Sequence, residues 1–316
     1  MSRVISLQEI QPALKGIDLL EAMEQAFVGY SCGHAVVPPV GELVFEKPPG
    51  DVHIKYGYMK GDAYYVVKIA SGFYDNPQLG LPSSNGLMLL FDQCTGQLLA
   101  VLLDQGYLTD MRTAAAGALV ARMLAPPAIE RVGIIGTGIQ AELQLRMLAL
   151  VTDCRRVLVC GRHHDGMLAY IDRLVDTDFD IELTDEPTEV AEVCQLIVTT
   201  TSSREALLRA VRPGTHITAV GSDTAEKQEL DPGILAGADI VVVDARAQAL
   251  SRGEAYRAMQ AGAIVADQLV EIGDILSGNH PGRTHQQQIT VADLTGVATQ
   301  DIAIAKAVYE RIVDAH

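Results

Sequence analysis

Positive charge is scarce in this 316-residue sequence, where 24 Lys plus Arg stand against 40 Asp plus Glu, a net charge of -16. An excess of that size repels phosphate backbones and anionic lipid, and argues against nucleic acid and membrane surfaces as partners. Cysteine is also sparse. Cys32, Cys94, Cys154, Cys160 and Cys194 are odd in number, far apart and without a C-x-x-C pair, so neither a disulfide framework nor a zinc site is indicated. A reducing cytoplasm is the expected compartment. No stretch approaches the ~18 uncharged apolar residues of a membrane span, and charge and Pro interrupt MSRVISLQEIQPALKG before a run of signal-peptide length. The eight His are scattered, and His163-His164 on a loop cannot face one ion as i, i+4 helix ligands do, so no metal is expected. Internal repeats and low-complexity linkers are missing too.

What is present is apolar material for about two domains, with 48% hydrophobic and 20% charged residues. Leu19, Leu20, Met23, Ala26 and Phe27 recur at helical spacing, so residues 1–30 read as a helical start. From about 36 to 105 the pattern changes to short β-type runs, among them Tyr64–Ile69, Gly86–Phe91 and Leu98–Leu103, which predict a mostly antiparallel meander. The Ala-rich stretch 111–123 predicts a buried helix. Beyond it, apolar strands at 131–135, 156–160, 195–200, 215–220 and 239–243 alternate with helices such as 139–151 and 165–176. That alternation predicts a parallel sheet covered on both faces. A last strand at 289–294 precedes a helix at 301–313, which is expected to return to the first domain and make it discontinuous.

The sharpest local signal is Gly136-Thr137-Gly138-Ile139-Gln140-Ala141, a G-x-G-x-x-A placed directly after a strand and before a helix. The first Gly permits a tight turn, the second lets backbone approach a pyrophosphate, and Ala allows helix to pack on strand. The helix N-terminus adds unpaired N–H groups and the positive end of its dipole. At the end of the next strand stands Cys160-Gly161-Arg162, with no acid before Asp165 to accept from a ribose 2′-OH. Arg162 can fork a 2′-phosphate, which favours NADP(H) over NAD(H); as a solvated loop residue it would leave either cofactor open.

Residues 66–123 and the segments GIIGTGIQA (133–141), GSDTAEKQEL (221–230) and GRTHQQQITVADLTGVATQD (282–301) together resemble, in order, the ornithine cyclodeaminase and μ-crystallin family. The resemblance implies an α/β protein with a Rossmann-type dinucleotide-binding domain, 112–298, and a discontinuous α+β substrate and dimerisation domain, 1–111 with 299–316. It implies a homodimer. By motif, Lys68 and Arg112 correspond to the cations that hold a substrate α-carboxylate, and Asp223 to the acid/base residue. Thr113, Thr200, Thr201 and Ser222 fall where hydroxyls could meet the cofactor. Read without the family, Lys68 also suits an edge-strand gatekeeper, Arg112 a helix start with unfavourable dipole, and Asp223 a turn cap.

Two departures bear on specificity. Many members carry Arg after the early Pro-Pro, whereas Pro38-Pro39 is followed here by Val40, and Lys55 is the basic substitute we assign. The last motif commonly reads Phe-Lys-Ser before its Gly; here it is Ala292-Asp293-Leu294-Thr295, which would place an acid near the substrate's far end. The DLTG form, with SGFYDNPQLGLPS and DVHIK, resembles the branch holding ectoine-utilisation cyclodeaminase-like proteins and imine reductases. The expected substrate is a small amino or imino acid. Reduction of a ketimine leads, amino-acid cyclodeamination is the alternative, and a non-catalytic NADP(H)-dependent binding protein is the alternative of another class.

Overall fold

The computed structural model describes residues 2–73 and 75–315. The chain divides into two compact units, Met1–Arg112 with Val297–His316, and Thr113–Gly296.

The first unit holds a seven-stranded sheet of β1 (Arg3–Ser6), β2 (Ala35–Val36), β3 (Gly41–Phe45), β4 (Gly50–Met59), β5 (Tyr64–Phe73), β6 (Ser84–Asp92) and β7 (Leu98–Leu103). Its order is β1-β7-β6-β5-β4-β2, with β3 also on β4. β4 to β7 form the expected antiparallel meander. The helical reading of the first residues is corrected. Val4 and Ile5 are β-branched and point to opposite faces, 66% and 1% exposed, so Arg3–Ser6 pairs in parallel with β7. Helices then run over Leu7–Leu14 and Leu19–Ser31, the second capped by Asp18, whose carboxylate accepts from Glu21 N–H at 3.0 Å.

One face of this sheet is packed beneath the helices Leu7–Leu14, Leu19–Ser31 and Ala298–Asp314, with Ile5, Met23, Phe27, Val66, Met88, Leu90, Leu102 and Val308 fully buried. The final helix therefore does return to the N-terminal sheet. On the opposite face, the register aligns Tyr56, Val67, Leu89, Val101 and Val4 in one apolar row across five strands, and Tyr65 stacks on Phe91 beside it at 4.7 Å. These side chains remain partly or wholly exposed, Val4 and Tyr56 most of all.

The second unit is a parallel sheet of eight strands: β8 (Val132–Ile135), β9 (Arg156–Cys160), β10 (Asp180–Thr184), β11 (Leu196–Thr199), β12 (His216–Ala219), β13 (Ile240–Val243), β14 (Leu269–Glu271) and β15 (Thr290–Asp293). Their order is β10-β9-β8-β11-β12-β15-β13-β14. Apolar side chains fill both faces. Val132, Ile134, Val157, Val159 and Val198 pack one side, and Ile135, Leu158, Ile197, Ile217, Val241 and Val291 the other. This two-sided burial is why the strands read as continuous apolar runs. The edge strand β10, DIELT, escaped the sequence reading because its residues alternate exposed and half-buried. From β8 the chain goes to β9 on one side and later to β11 on the other, which puts a topological switch point at the carboxyl ends of β8 and β11.

Candidate active site

In the second unit, β8 runs into the Gly-rich turn. Gly136 has φ +118°, a conformation other residues rarely adopt, and a Cβ there would lie 2.5 Å from Thr200 Oγ1. Its N–H donates to Cys160 O at 2.9 Å, and Thr200 N–H donates to Ile135 O at 2.9 Å, so the turn is tied to the strand ends on both sides. Gly138 precedes the helix Ile139–Leu148 with open space where a Cβ would stand. A cleft of about 560 Å³ opens over this turn, lined by Gly136, Thr137, Gly138, Arg162, Thr200 and Thr201 among others. The absent side chains, the helix N-terminus and the hydroxyls fit a dinucleotide pyrophosphate.

Arg162 is exposed at this cleft and donates from Nε to His163 Nε2 at 3.1 Å. Ile139, Gln140, Thr113 and Ser222 do not line it. The Thr113 carbonyl accepts from Gln144 Nε2, and the buried Ser222 hydroxyl donates to Lys227 O at 2.9 Å. Asp223, on the loop after β12, accepts from Lys227 Nζ at 2.7 Å, and Arg252 Nη1 donates to its carbonyl at 3.3 Å. Its side chain is 37% exposed.

The first unit gathers the cations. Lys55 on β4 stands directly opposite Lys68 on β5, on the covered face, and both are buried. β5 lies inside the sheet, between β4 and β6, which removes the edge-gatekeeper reading of Lys68. Arg112 is likewise not at a helix start, because its helix begins five residues earlier, at Tyr107. Like charges directly opposite one another destabilise a sheet unless something compensates. That compensation is Asp301, from the final helix. Its two oxygens lie 3.1 Å from Lys68 Nζ and 3.1 Å from Arg112 Nε, and Arg112 Nη1 also donates to Gln300 Oε1 at 3.4 Å. Burial opposes ionisation of Asp301, but Lys68, Arg112 and Lys55 outweigh it and hold the carboxyl below its usual range. Burial lowers the Lys68 ammonium pKa, with Asp301 resisting and Arg112 reinforcing the shift. Three buried cations thus act on Asp301, and Asp104 adds a weaker attraction at Lys68.

The sequence reading passed over Asp301, although it ends the quoted GVATQD segment. It also passed over Asp104, whose carboxylate accepts from Leu108 N–H at 2.9 Å at the start of the Tyr107–Leu124 helix. His53, buried two residues before Lys55 on the same face and 2.8 Å from Glu42, was missed as well. The pairing of Asp301 with Lys68, far apart in the chain, leaves no local signature.

A family model of the ornithine cyclodeaminase/mu-crystallin family matches residues 2–316. The chain belongs to that family. A protein named uncharacterized cyclodeaminase y4tK from Sinorhizobium fredii is 39% identical, covering 96% of this chain and 93% of its own. Among solved structures, an archaeal alanine dehydrogenase dimer with bound NAD superposes with a TM-score of 0.90 at 34% identity, over 99% of this chain and 97% of that one. The Δ1-pyrroline-2-carboxylate reductase of Thermococcus litoralis, in complex with NADH and L-proline, gives 0.92 at 27% identity, over 99% and 98%.

Within this family pattern, the acidic residue of the DLTG motif does not do what the sequence suggested. Asp293 is buried inside the second unit, where Oδ2 accepts from Ala255 N–H at 2.8 Å and caps the helix Gly253–Gln260. A Cβ on Gly253, at φ +92°, would meet that carboxyl at 2.5 Å. Burial pushes the Asp293 carboxyl up to about 7, against the pull of its backbone donors. Burial also raises Glu229 and Glu254 nearby. Between about pH 4 and 7 Asp293 in the folded chain thus keeps a proton that the unfolded chain, at an ordinary carboxyl pKa of about 4, has shed, so its contribution to stability falls as pH rises, while His216, pushed down to about 3 by burial, acts in the opposite sense. Measured from pH 5 to 8, the thermal midpoint of Asp293→Asn is expected to rise relative to that of the wild type, and a constant difference would contradict the shift.

Proposed function

We propose that this member of the family is an NAD(P)-dependent oxidoreductase that reduces a small ketimine or imino acid at the carbon of its C=N bond. The observation that carries the proposal is the buried set Lys55, Lys68 and Arg112 around Asp301, three cations whose chemistry suits a carboxylate. In the same chain, the Gly136–Gly138 turn fits the dinucleotide whose nicotinamide supplies the hydride. The relatives point the same way, since the named activities of the alanine dehydrogenase and the pyrroline-carboxylate reductase concern a carbon–nitrogen bond beside a carboxylate.

In this reading Arg112 forks the substrate α-carboxylate and Lys68 and Lys55 add compact charges, which fixes the reacting carbon. Asp223 handles the proton of the imine nitrogen. Its exposure leaves the carboxylate reachable, and Lys227 at 2.7 Å orients it. Thr200 and Thr201 bound the pyrophosphate cleft, with Thr113 and Ser222 assigned to supporting positions. Arg162 pairs with a 2′-phosphate, so NADP(H) is preferred. Residues up to about 111, with 299–316, form the substrate and dimerisation domain, and 112–298 the cofactor domain. The exposed apolar row Tyr56, Val67, Leu89, Val101 and Val4 supports a homodimer through the sheet face.

The y4tK relative favours amino-acid cyclodeamination as the second reading. The two part cleanly in an assay. A reductase consumes NADPH in step with amino-acid formation from a panel of 2-imino acids; a cyclodeaminase releases ammonia from ornithine with no net change in nucleotide. Lys68→Met, which removes a buried charge partner worth about 2 kcal/mol or more, should raise the imino-acid KM at least about thirtyfold. The KM for the nucleotide should stay put. Arg162→Ala should raise the KM for NADPH about tenfold and leave that for NADH unchanged. In light scattering the native chain should weigh as two copies, and Leu89→Asp as one.

A further inference from the structure

Glu229 is not among the residues assigned to substrate, cofactor or proton transfer, yet it occupies an unusual position. It is fully buried, and its carboxylate is bonded by two separate loops that leave the carboxyl ends of adjacent strands. Oε2 accepts from Thr199 Oγ1 at 2.7 Å and from Gly221 N–H at 2.9 Å, and Oε1 accepts from Thr201 N–H. Thr199 ends β11 and continues into Thr200 and Thr201, which line the dinucleotide cleft. Gly221 opens the loop of Ser222 and Asp223. The two loops touch backbone to backbone, because a Cβ at Gly221 would fall 2.1 Å from Thr201 O and 2.6 Å from Glu229 Oε2.

The Glu229 backbone is itself held, since its N–H donates to Glu254 Oε1 at 2.6 Å and its carbonyl accepts from Leu207 and Leu208 N–H. Burying a carboxylate costs several kcal/mol, and an apolar pair of similar volume often serves a fold as well. Here the cost goes into holding two strand-end loops, one of which lines the cleft, at one spacing. Three donors converge on the two oxygens of one carboxyl group, where a side chain with a single acceptor atom could serve fewer.

We infer that Glu229 is a positioning residue for the dinucleotide and for Asp223: its carboxylate sets the distance between the Thr199–Thr201 loop and the Gly221–Asp223 loop. The inference rests on the cofactor reading of this cleft. In Glu229→Gln one oxygen becomes an amide NH₂, which faces either the Thr201 N–H or the Gly221 N–H, so at least one backbone contact that ties a loop to residue 229 is lost. Thr199→Val removes a single hydroxyl at nearly constant volume.

The test is titration of the full-length protein with NADPH and NADH by nucleotide fluorescence, joined to hydrogen exchange of the nucleotide-free protein. Wild type should bind at least one nucleotide; if it binds neither, the cofactor reading fails. Given wild-type binding, Glu229→Gln should weaken it at least tenfold and Thr199→Val about threefold or more, with Thr199→Ser restoring affinity to within twofold. The amides of Thr201 and Gly221 should exchange faster in Glu229→Gln and Thr199→Val while those of β8 and β9 do not. Where Glu229→Gln fails to fold, the Val and Ser pair at 199 decides. Wild-type affinity in a folded Glu229→Gln, or equal affinity of the Val and Ser variants, overturns the inference.

Discussion

One ion cluster closes the first unit. Asp301 belongs to the final helix, Lys68 to the middle of the sheet and Arg112 to a helix 189 residues before Asp301, and the three meet at 3.1 Å contacts in a buried place. Removing Asp301 alone would strand two buried cations, a loss of about 3–5 kcal/mol. The discontinuity of this unit and the charge balance at its buried cations thus share one cause. The helix that completes the core also carries the anion that makes the buried cations tolerable.

The second unit solves a different electrostatic problem with backbone. Gly136 and Gly138 withhold side chains where a pyrophosphate would approach, and the helix Ile139–Leu148 presents its N-terminus there. Behind the loops lie the carboxyl groups of Glu229, Glu254 and Asp293, each accepting from backbone N–H groups and each raised in pKa by burial. The acidic excess of the chain therefore does not lie only on its surface. Part of it is internal scaffolding for loops and a helix end, and part is the counter-charge Asp301.

Local patterns were legible and long-range pairing was not. The βα alternation after residue 131 announced the parallel sheet, because strands buried on both faces read as uninterrupted apolar runs. The turn at Gly136–Gly138 announced its shape, since each Gly answers a local steric demand. The family resemblance picked out Lys68, Arg112 and Asp223 in sequence. The structure sets Lys55 opposite Lys68, and brings Lys68 and Arg112 together, with Asp223 on a strand-end loop of the other unit. By contrast, β1 was hidden by the apolar helix pattern that follows it, and Asp293 looked like a substrate contact until its carboxyl was found capping a helix. Asp301 and Glu229 gave no signal, because an acidic residue in a sequence does not say whether it will meet water, a cation or backbone donors.

The central claim is that the buried cations of the first unit recognise a carboxylate. Calorimetric titration of the unaltered protein, with nucleotide present, against a small cyclic α-amino acid and its carboxamide tests it most directly. The acid should bind, and the amide, equal in size but uncharged at that end, should bind at least about a hundredfold more weakly. Equal affinities for the two would contradict it.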